Sequence, residues 1–372
     1  MRKRVLIIVE SLNLGGGAEK VASTLSIYLS KRYDVSISTF YYNKKSYKYF
    51  GKLYSLRECK VAIKYFMRPF KLISVIKSVK PDIIITFMNK TSFWVIPLKY
   101  IFRINIPLVI SINTNPNFHY KKRIYGKFLL RYLLPLKKVN HLVPVSKDLK
   151  QIFVQTYKVN PNKITPIYNG IALEKIINLS KEEIDEYNDI FQNPDVLKFI
   201  TMGRLSPEKG HKYLIKAFSN VKSEFSNSKL FLLGEGPLKT DLEKLSDTLG
   251  LKEDVIFLGF QENPYKFMYQ SDIFVLSSLH EGLPYVLIEA LACKLPIIST
   301  NCETGPKEIL ENGEYGLLVE VKDTADLYKK MLLLATDHNL RKNFSKKAEI
   351  KVLQFQMTNF ITNWITLIEQ LI

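Results

Sequence analysis

Two short stretches hold side chains whose types and spacing suit chemistry on a charged, hydroxyl-bearing ligand. Gly203-Arg204-Leu205-Ser206-Pro207-Glu208-Lys209-Gly210 sets two cations five residues apart in a glycine-bounded loop. Further on, Glu281 and Glu289 flank seven residues, with Gly282, Leu283 and Pro284 just after the first carboxylate. Arginine offers a bidentate fork to phosphate and lysine a point charge. A departing diphosphate gains negative charge as its bond breaks, and fixed cations stabilise that charge more in the transition state than in the ground state. The two carboxylates suit sugar hydroxyls. Proline is favoured at the first position of a helix. Glu281 is therefore expected in a loop at a helix entrance and Glu289 inside the helix, with unbonded backbone N–H groups behind the first carboxylate.

Weaker candidates surround this pair. Gly15-Gly16-Gly17 follows an apolar run and precedes a helical pattern. Backbone approaches a phosphate or sugar closely only where side chains are absent, and a helix start favours anions. His280, beside Glu281, is placed to reach the same ligand, or to bond backbone at a strand end. His119 lies in a loop where histidine is commonly solvated. The three cysteines, Cys59, Cys293 and Cys302, show neither metal-ligand nor CxxC spacing, and no Asp-x-Asp stands at the end of a strand in the first half. No metal site and no cofactor is expected.

The elements that must position these residues follow from apolar periodicity. Strands are expected at 5–9, 35–40, 83–87, 107–112 and 141–145, and again at 199–202, 230–233, 255–258, 273–276, 296–299 and 316–319, with helical segments between them. Continuous buried strands separated by helices imply parallel sheets covered on both faces. A chain of 372 residues, 47% hydrophobic and 24% charged, suits two globular domains. The fold class expected is α/β, with domains at 1–172 and 196–354, an acidic linker at 173–195 and a helix at 355–372 that returns to the first domain. Pro97, Lys99, Arg103 and Pro107 interrupt the most apolar long window, 93–112, so a helix ending near Arg103 and then a strand is expected rather than a membrane span. The apolar run after the basic start is too short for a signal core, and the cysteines are expected as reduced thiols in a cytosolic compartment.

The order and spacing of Gly-Arg-Leu-x-x-x-Lys-Gly followed by Glu-Gly-x-x-x-x-x-x-Glu resemble the retaining glycosyltransferases of family 4, which have the GT-B fold. The resemblance implies two doubly wound Rossmann-like domains facing a central cleft. It implies catalytic roles for Arg204, Lys209 and Glu281. It also implies donor binding by Gly16, Gly17, Arg204, Lys209, Gly259, Phe260, Glu281, Gly282, Leu283, Pro284 and Glu289, with Glu289 on the ribose hydroxyls. The segment from Cys302 to Leu310 resembles a subgroup that extends lipid-linked glycans from UDP-sugars, and Thr304 and Gly305 would then face the diphosphate or sugar. Asn301 and Glu303 depart from that subgroup's usual Asp and Pro. Asn113 stands where many members carry a histidine near the sugar. Asparagine bonds a hydroxyl but does not change protonation near neutral pH, which leaves Asn113, His119 and His280 as candidates on the acceptor or sugar side. Such enzymes resemble metal-independent transferases, with protein cations in place of a divalent ion.

Charge is distributed unevenly. Residues 1–170 carry 31 Lys and Arg against 6 Asp and Glu, and residues 171–372 carry 23 against 29. The first half must meet something anionic (nucleic acid, an anionic membrane surface or a phosphorylated acceptor) or stay unusually soluble. The stretches 41–80 and 119–138 are dense in Tyr, Phe, Lys and Arg, as in segments that lie on an anionic bilayer. The expected partners are a UDP-sugar donor, a lipid-linked or oligosaccharide acceptor and an anionic membrane surface. The expected place is the cytoplasmic side, peripheral on the inner face of the cell membrane. The activity expected is transfer of a hexose or N-acetylhexosamine in surface-polysaccharide or glycoprotein assembly. A sugar-nucleotide epimerase on the same fold is an alternative, as is a basic nucleic-acid or membrane-binding protein without catalysis. No nucleic-acid-binding motif is recognised, and no nucleic acid is expected.

Overall fold

A computed structural model describes residues 1–13, 17–41, 46–56, 64–87, 90–119, 129–133 and 137–372. The chain divides into two compact units, Met1–Asn169 with Thr358–Ile372, and Gly170–Met357.

The first unit is built on a parallel sheet of order β3-β2-β1-β4-β5-β6. Its strands are β1 (Arg4–Val9), β2 (Asp34–Thr39), β3 (Lys52–Ser55), β4 (Ile83–Phe87), β5 (Leu108–Ile112) and β6 (His141–Pro144). Val5 lies opposite Val35 on one side and Ile83 on the other. The apolar residues of β1 and β4 are wholly buried, as expected for strands covered on both faces. β3 is an edge strand of sequence Lys-Leu-Tyr-Ser, exposed at both ends. It falls in the basic, aromatic stretch where no strand was expected. The apolar window near residue 100 forms the helix Lys90–Ile101 and then β5. Among the described residues no helix is long and apolar enough to cross a membrane. The helix Met357–Leu371 buries Phe360, Trp364, Leu367 and Ile368, an i, i+4, i+7, i+8 stripe. The Arg32–Glu369 ion pair joins it to the turn before β2.

The second unit repeats the plan, with order β12-β11-β10-β7-β8-β9. Its strands are β7 (Leu197–Met202), β8 (Ser228–Leu233), β9 (Val255–Gly259), β10 (Ile273–Leu276), β11 (Ile297–Thr300) and β12 (Leu317–Val319). Phe199, Leu230, Leu232 and Val275 from the sheet pack with Leu214, Phe218 and Met331 from the covering helices. The Asp254 carboxylate clasps Lys222 and Lys229, each at 2.8 Å. The segment 173–195, expected as a linker, instead carries the helices Leu173–Ser180 and Asn188–Gln192 and belongs to this unit. In each sheet the strand order reverses beside the first strand, between β1 and β4 and between β7 and β10. In open parallel sheets ligands bind at the carboxyl ends of the strands at such a reversal.

Candidate active site

The loops leaving β7 and β10 are zipped together at the reversal point of the second unit. Pro207 opens a 3₁₀ turn, Pro207–Lys209, and Gly210 ends it at φ 65°. A Cβ at Gly210 would lie 2.2 Å from the Ser277 carbonyl oxygen, so only glycine allows this approach. The Leu279 amide donates to the Glu208 carbonyl at 2.7 Å. The Ser277 hydroxyl donates to the Lys209 carbonyl at 3.0 Å. This backbone contact brings two side chains together from distant sequence. Lys209 Nζ lies 2.6 Å from Glu281 Oε1, and Ser278 Oγ donates to the same oxygen at 2.7 Å. Among the described residues Glu281 Oε2 accepts no hydrogen bond. The pair is largely buried, with Lys209 21% and Glu281 11% exposed, so its charges act in a medium less polar than water. Arg204 is exposed on the same loop.

A third segment supports the second loop from behind. The Thr300 hydroxyl and the Cys302 thiol both donate to the Ser278 carbonyl, the thiol at 3.0 Å. The Thr304 hydroxyl donates to the Glu281 carbonyl. Gly305 follows at φ 97°, where a Cβ would meet Pro284 Cδ at 2.7 Å and the Gly282 carbonyl oxygen at 2.9 Å.

Pro284 caps the helix Tyr285–Ala292. Glu289 lies in its second turn, 5% exposed. The Tyr265 hydroxyl donates to Glu289 Oε1 at 3.0 Å. Burial and the neighbouring Glu289 charge push the Tyr265 hydroxyl far above its ordinary range, so it remains a donor.

Burial and neighbouring charges shift the titrating groups around the pair. Burial pulls the Glu208 carboxyl up, but the Ser206 hydroxyl, the backbone and the Lys209 and Arg204 charges outweigh it and hold the pKa below its ordinary value. Burial, with the Lys209 charge, lowers His211 to about 4. Burial pushes the Cys302 thiol up to about 12. Partial desolvation and Lys322 lower His280, against the pull of Glu303, Glu208 and Glu281. Among the described residues no group of three or more His, Cys, Asp or Glu is arranged to hold a metal ion.

Residues 15–175 match the family described as Glycosyltransferase Family 4, and residues 181–351 match Glycosyl transferases group 1. An uncharacterized glycosyltransferase of Methanocaldococcus jannaschii is 34% identical over 345 residues, covering 82% of this chain and 84% of that one. The chain is a family 4 glycosyltransferase. A second relative, from Campylobacter jejuni, is 32% identical and covers 94% of each chain. It is named N-acetylgalactosamine-N,N'-diacetylbacillosaminyl-diphospho-undecaprenol 4-alpha-N-acetylgalactosaminyltransferase. Among solved structures, the Anabaena HepE protein in complex with UDP-glucose superposes with a TM-score of 0.82 at 18% identity, over 99% of this chain and all of that one. That likeness shows the fold, and the two units of this glycosyltransferase are the two domains of the GT-B architecture.

Of the residues singled out in sequence, the structure of this transferase gathers Lys209, Glu281, Gly282, Leu283, Pro284 and Gly305 at one helix entrance, with Glu289 in the second turn of that helix and Arg204 exposed on the loop that carries Lys209. Gly259 ends β9, its carbonyl accepting from the Gly234 amide at 2.7 Å, and Phe260 is exposed just after it. Thr304, expected on the ligand side, is buried and donates its hydroxyl to the Glu281 carbonyl. His280 is exposed beside Glu281. In the other unit, Gly17 opens the helix Gly17–Leu29, while Gly15 and Gly16 lie outside the described residues. Asn113 follows β5 and donates to Ser111 Oγ at 3.1 Å. Its Oδ1 is buried and has no hydrogen-bond partner among the described residues. His119 closes the short helix Pro116–His119, and its side chain lies outside the described residues, as does Cys59. Sequence reasoning missed Ser278, Tyr265, Thr300 and Cys302. Of these only Ser278, three residues before Glu281, carried a local signal.

Proposed function

We propose that this glycosyltransferase moves a hexose or N-acetylhexosamine from a UDP-sugar to a lipid-linked glycan with retention of configuration, without a metal ion. The observation that carries the reading is the Lys209–Glu281 pair at the strand reversal, with one carboxylate oxygen engaged and the other left for a sugar hydroxyl. Lys209 has three donors, so it can hold Glu281 and still reach a phosphate oxygen. Arg204 supplies the second cation. Together they stabilise the charge that develops on the departing diphosphate. The first-turn amides of the helix Tyr285–Ala292 add donors to the same anion. Glu289, oriented by Tyr265, takes the ribose hydroxyls. Asn113 Oδ1 in the first unit, a buried acceptor without a partner among the described residues, is suited to a hydroxyl of the acceptor. UDP as carrier is supported by the ligand of the HepE complex, and a lipid diphosphate acceptor by the name of the Campylobacter jejuni relative.

The reading extends to the membrane surface on the cytoplasmic side. The helix Lys90–Ile101 ends in exposed apolar Tyr100, Ile101 and Phe102, followed by exposed Arg103. Arg131 and Tyr132 are exposed on the turn Leu129–Leu133. Aromatic and aliphatic tips among cations suit an anionic bilayer, each cation contributing about 1 kcal/mol near the surface.

The experiment is a thermal-shift and calorimetric screen against UDP, GDP, ADP and their common sugars, with EDTA present. The expected result is selective stabilisation by UDP and one UDP-sugar, lost in Arg204→Ala. Stabilisation by GDP or ADP alone discards the UDP assignment. A strict need for a divalent ion in turnover refutes the metal-independent chemistry. Co-sedimentation with phosphatidylglycerol vesicles, weakened by salt, tests the membrane surface, and equal binding to neutral vesicles refutes the charge argument.

A further inference from the structure

We infer that Thr300, Cys302 and Thr304 form a positioning comb that sets the geometry of Glu281 without touching substrate. The inference rests on the proposed donor-site role of Glu281.

Thr300 ends β11, Cys302 and Thr304 follow in the loop after it, and all three are nearly or wholly buried, at 3% exposure or less. Each spends its donor on the backbone of the loop after β10. The Ser278 carbonyl, with two lone pairs, accepts from both Thr300 Oγ1 and Cys302 Sγ. The Glu281 carbonyl accepts from Thr304 Oγ1. The loop is thus gripped at Ser278, its second residue, and at Glu281 itself. Between these two points, the Ser278 side chain holds Glu281 Oε1.

The intervening residues do something else. Asn301 is half-buried and donates to Glu320 Oε1 at 3.2 Å, and Glu303 is exposed. The comb is therefore one-sided: two teeth end on Ser278, whose side chain holds Glu281, and the third ends on Glu281 itself. The Cys302 thiol, protonated across the working pH range because of its burial, serves as a donor and not as a nucleophile. A catalytic group must be held within a fraction of an ångström, and a displacement of about 1 Å can cost about a hundredfold in rate.

The test compares Thr304→Val with Thr304→Ser, and Cys302→Ala with Cys302→Ser. UDP release is followed with UDP-glucose, UDP-galactose, UDP-N-acetylglucosamine and UDP-N-acetylgalactosamine, alongside Kd for UDP by calorimetry and Tm. The expected result for Thr304→Val is a kcat about tenfold lower or more, with Kd for UDP within about twofold of wild type. Serine, which keeps the hydroxyl, restores kcat to within about threefold. Cys302→Ala leaves Thr300 on the same carbonyl, so it folds even if the valine variant does not, and a loss of about threefold rescued by serine carries the test. Wild-type kcat in both Thr304→Val and Cys302→Ala, in a protein that Glu281→Gln slows about tenfold or more, overturns the comb alone. Parallel loss of UDP affinity, Tm and kcat without rescue by serine shows a merely structural role and also overturns it. A wild-type protein that neither binds nor turns over any UDP-sugar overturns the donor-site reading, and the comb with it.

Discussion

Replacing Glu281 by glutamine removes a charge from the site while keeping its shape. In the structure Oε1 takes two donors, Lys209 Nζ at 2.6 Å and Ser278 Oγ at 2.7 Å, and Oε2 is the oxygen offered to the sugar. Hydrogen bonds to a charged group are worth roughly 1.5–3 kcal/mol. Loss of one such bond in the transition state, at about 1.4 kcal/mol per tenfold, lowers kcat/KM for the UDP-sugar by about 10- to 100-fold. UDP lacks the sugar, so its affinity should change by less than about threefold. The pair is largely buried, so neutralising one partner should also cost about 2 kcal/mol of stability. Tm should therefore fall measurably while the folded protein still binds UDP. Steady-state kinetics, UDP calorimetry and a melting curve on one preparation supply all three readouts. Unchanged kcat/KM, or a loss of UDP affinity as large as the loss of kcat/KM, would refute the assignment of Glu281 to the sugar.

Other perturbations separate the remaining parts of the site. Glu289→Ala is expected to weaken UDP about tenfold or more, with Tyr265→Phe showing a smaller loss in the same direction by calorimetry. Asp254→Asn tests the second unit's Lys222–Asp254–Lys229 clasp. Burial raises this carboxyl, but the two lysines outweigh it and hold it below the ordinary 3.8. A depressed folded pKa contributes stability that is present above the unfolded value and lost as pH falls through the folded one. Asp254→Asn should thus cost about 2 kcal/mol at pH 7, and denaturant melts should show that difference shrinking below about pH 4. Burial pushes both Cys293 and Cys302 up to about 12, so in a Cys59→Ser background a thiol reagent at pH 8 should label neither until guanidinium unfolds the second unit. Rapid labelling of the native protein would contradict their burial.

Much of the fold was legible because parallel strands buried on both faces are written as unbroken apolar runs. Residues 5–9 and 83–87 are such runs, and β1 and β4 are where they were expected. β3 was not legible. Four residues, two of them polar and none fully buried, give an edge strand no periodicity to read. The acidic stretch 173–195 was taken for a linker because its charges mask two short helices whose buried residues are few, Ile176 and Phe191 among them. At the site, the two loops were visible as motifs, but their division of labour was not. The cations had been assigned to phosphate and the carboxylates to sugar, whereas Lys209 and Glu281 touch each other. That contact depends on Gly210 meeting Ser277, a backbone fit with no periodic trace. The resemblance of the segment 302–310 turns Thr304 toward the ligand, and its contact with the Glu281 carbonyl is likewise a fit with no periodic trace.

The first unit is discontinuous. Its sheet is complete within the first 169 residues, yet the stripe of Phe360, Trp364, Leu367 and Ile368 belongs to it as well. During synthesis at about 5–20 residues per second, the roughly 190 residues of the intervening unit take about ten to forty seconds to emerge. For that interval the amino-terminal sheet waits with the seat of that helix uncovered, an apolar surface on the most cationic part of the chain. A ribosome stalled within the second unit would leave that surface without its helix.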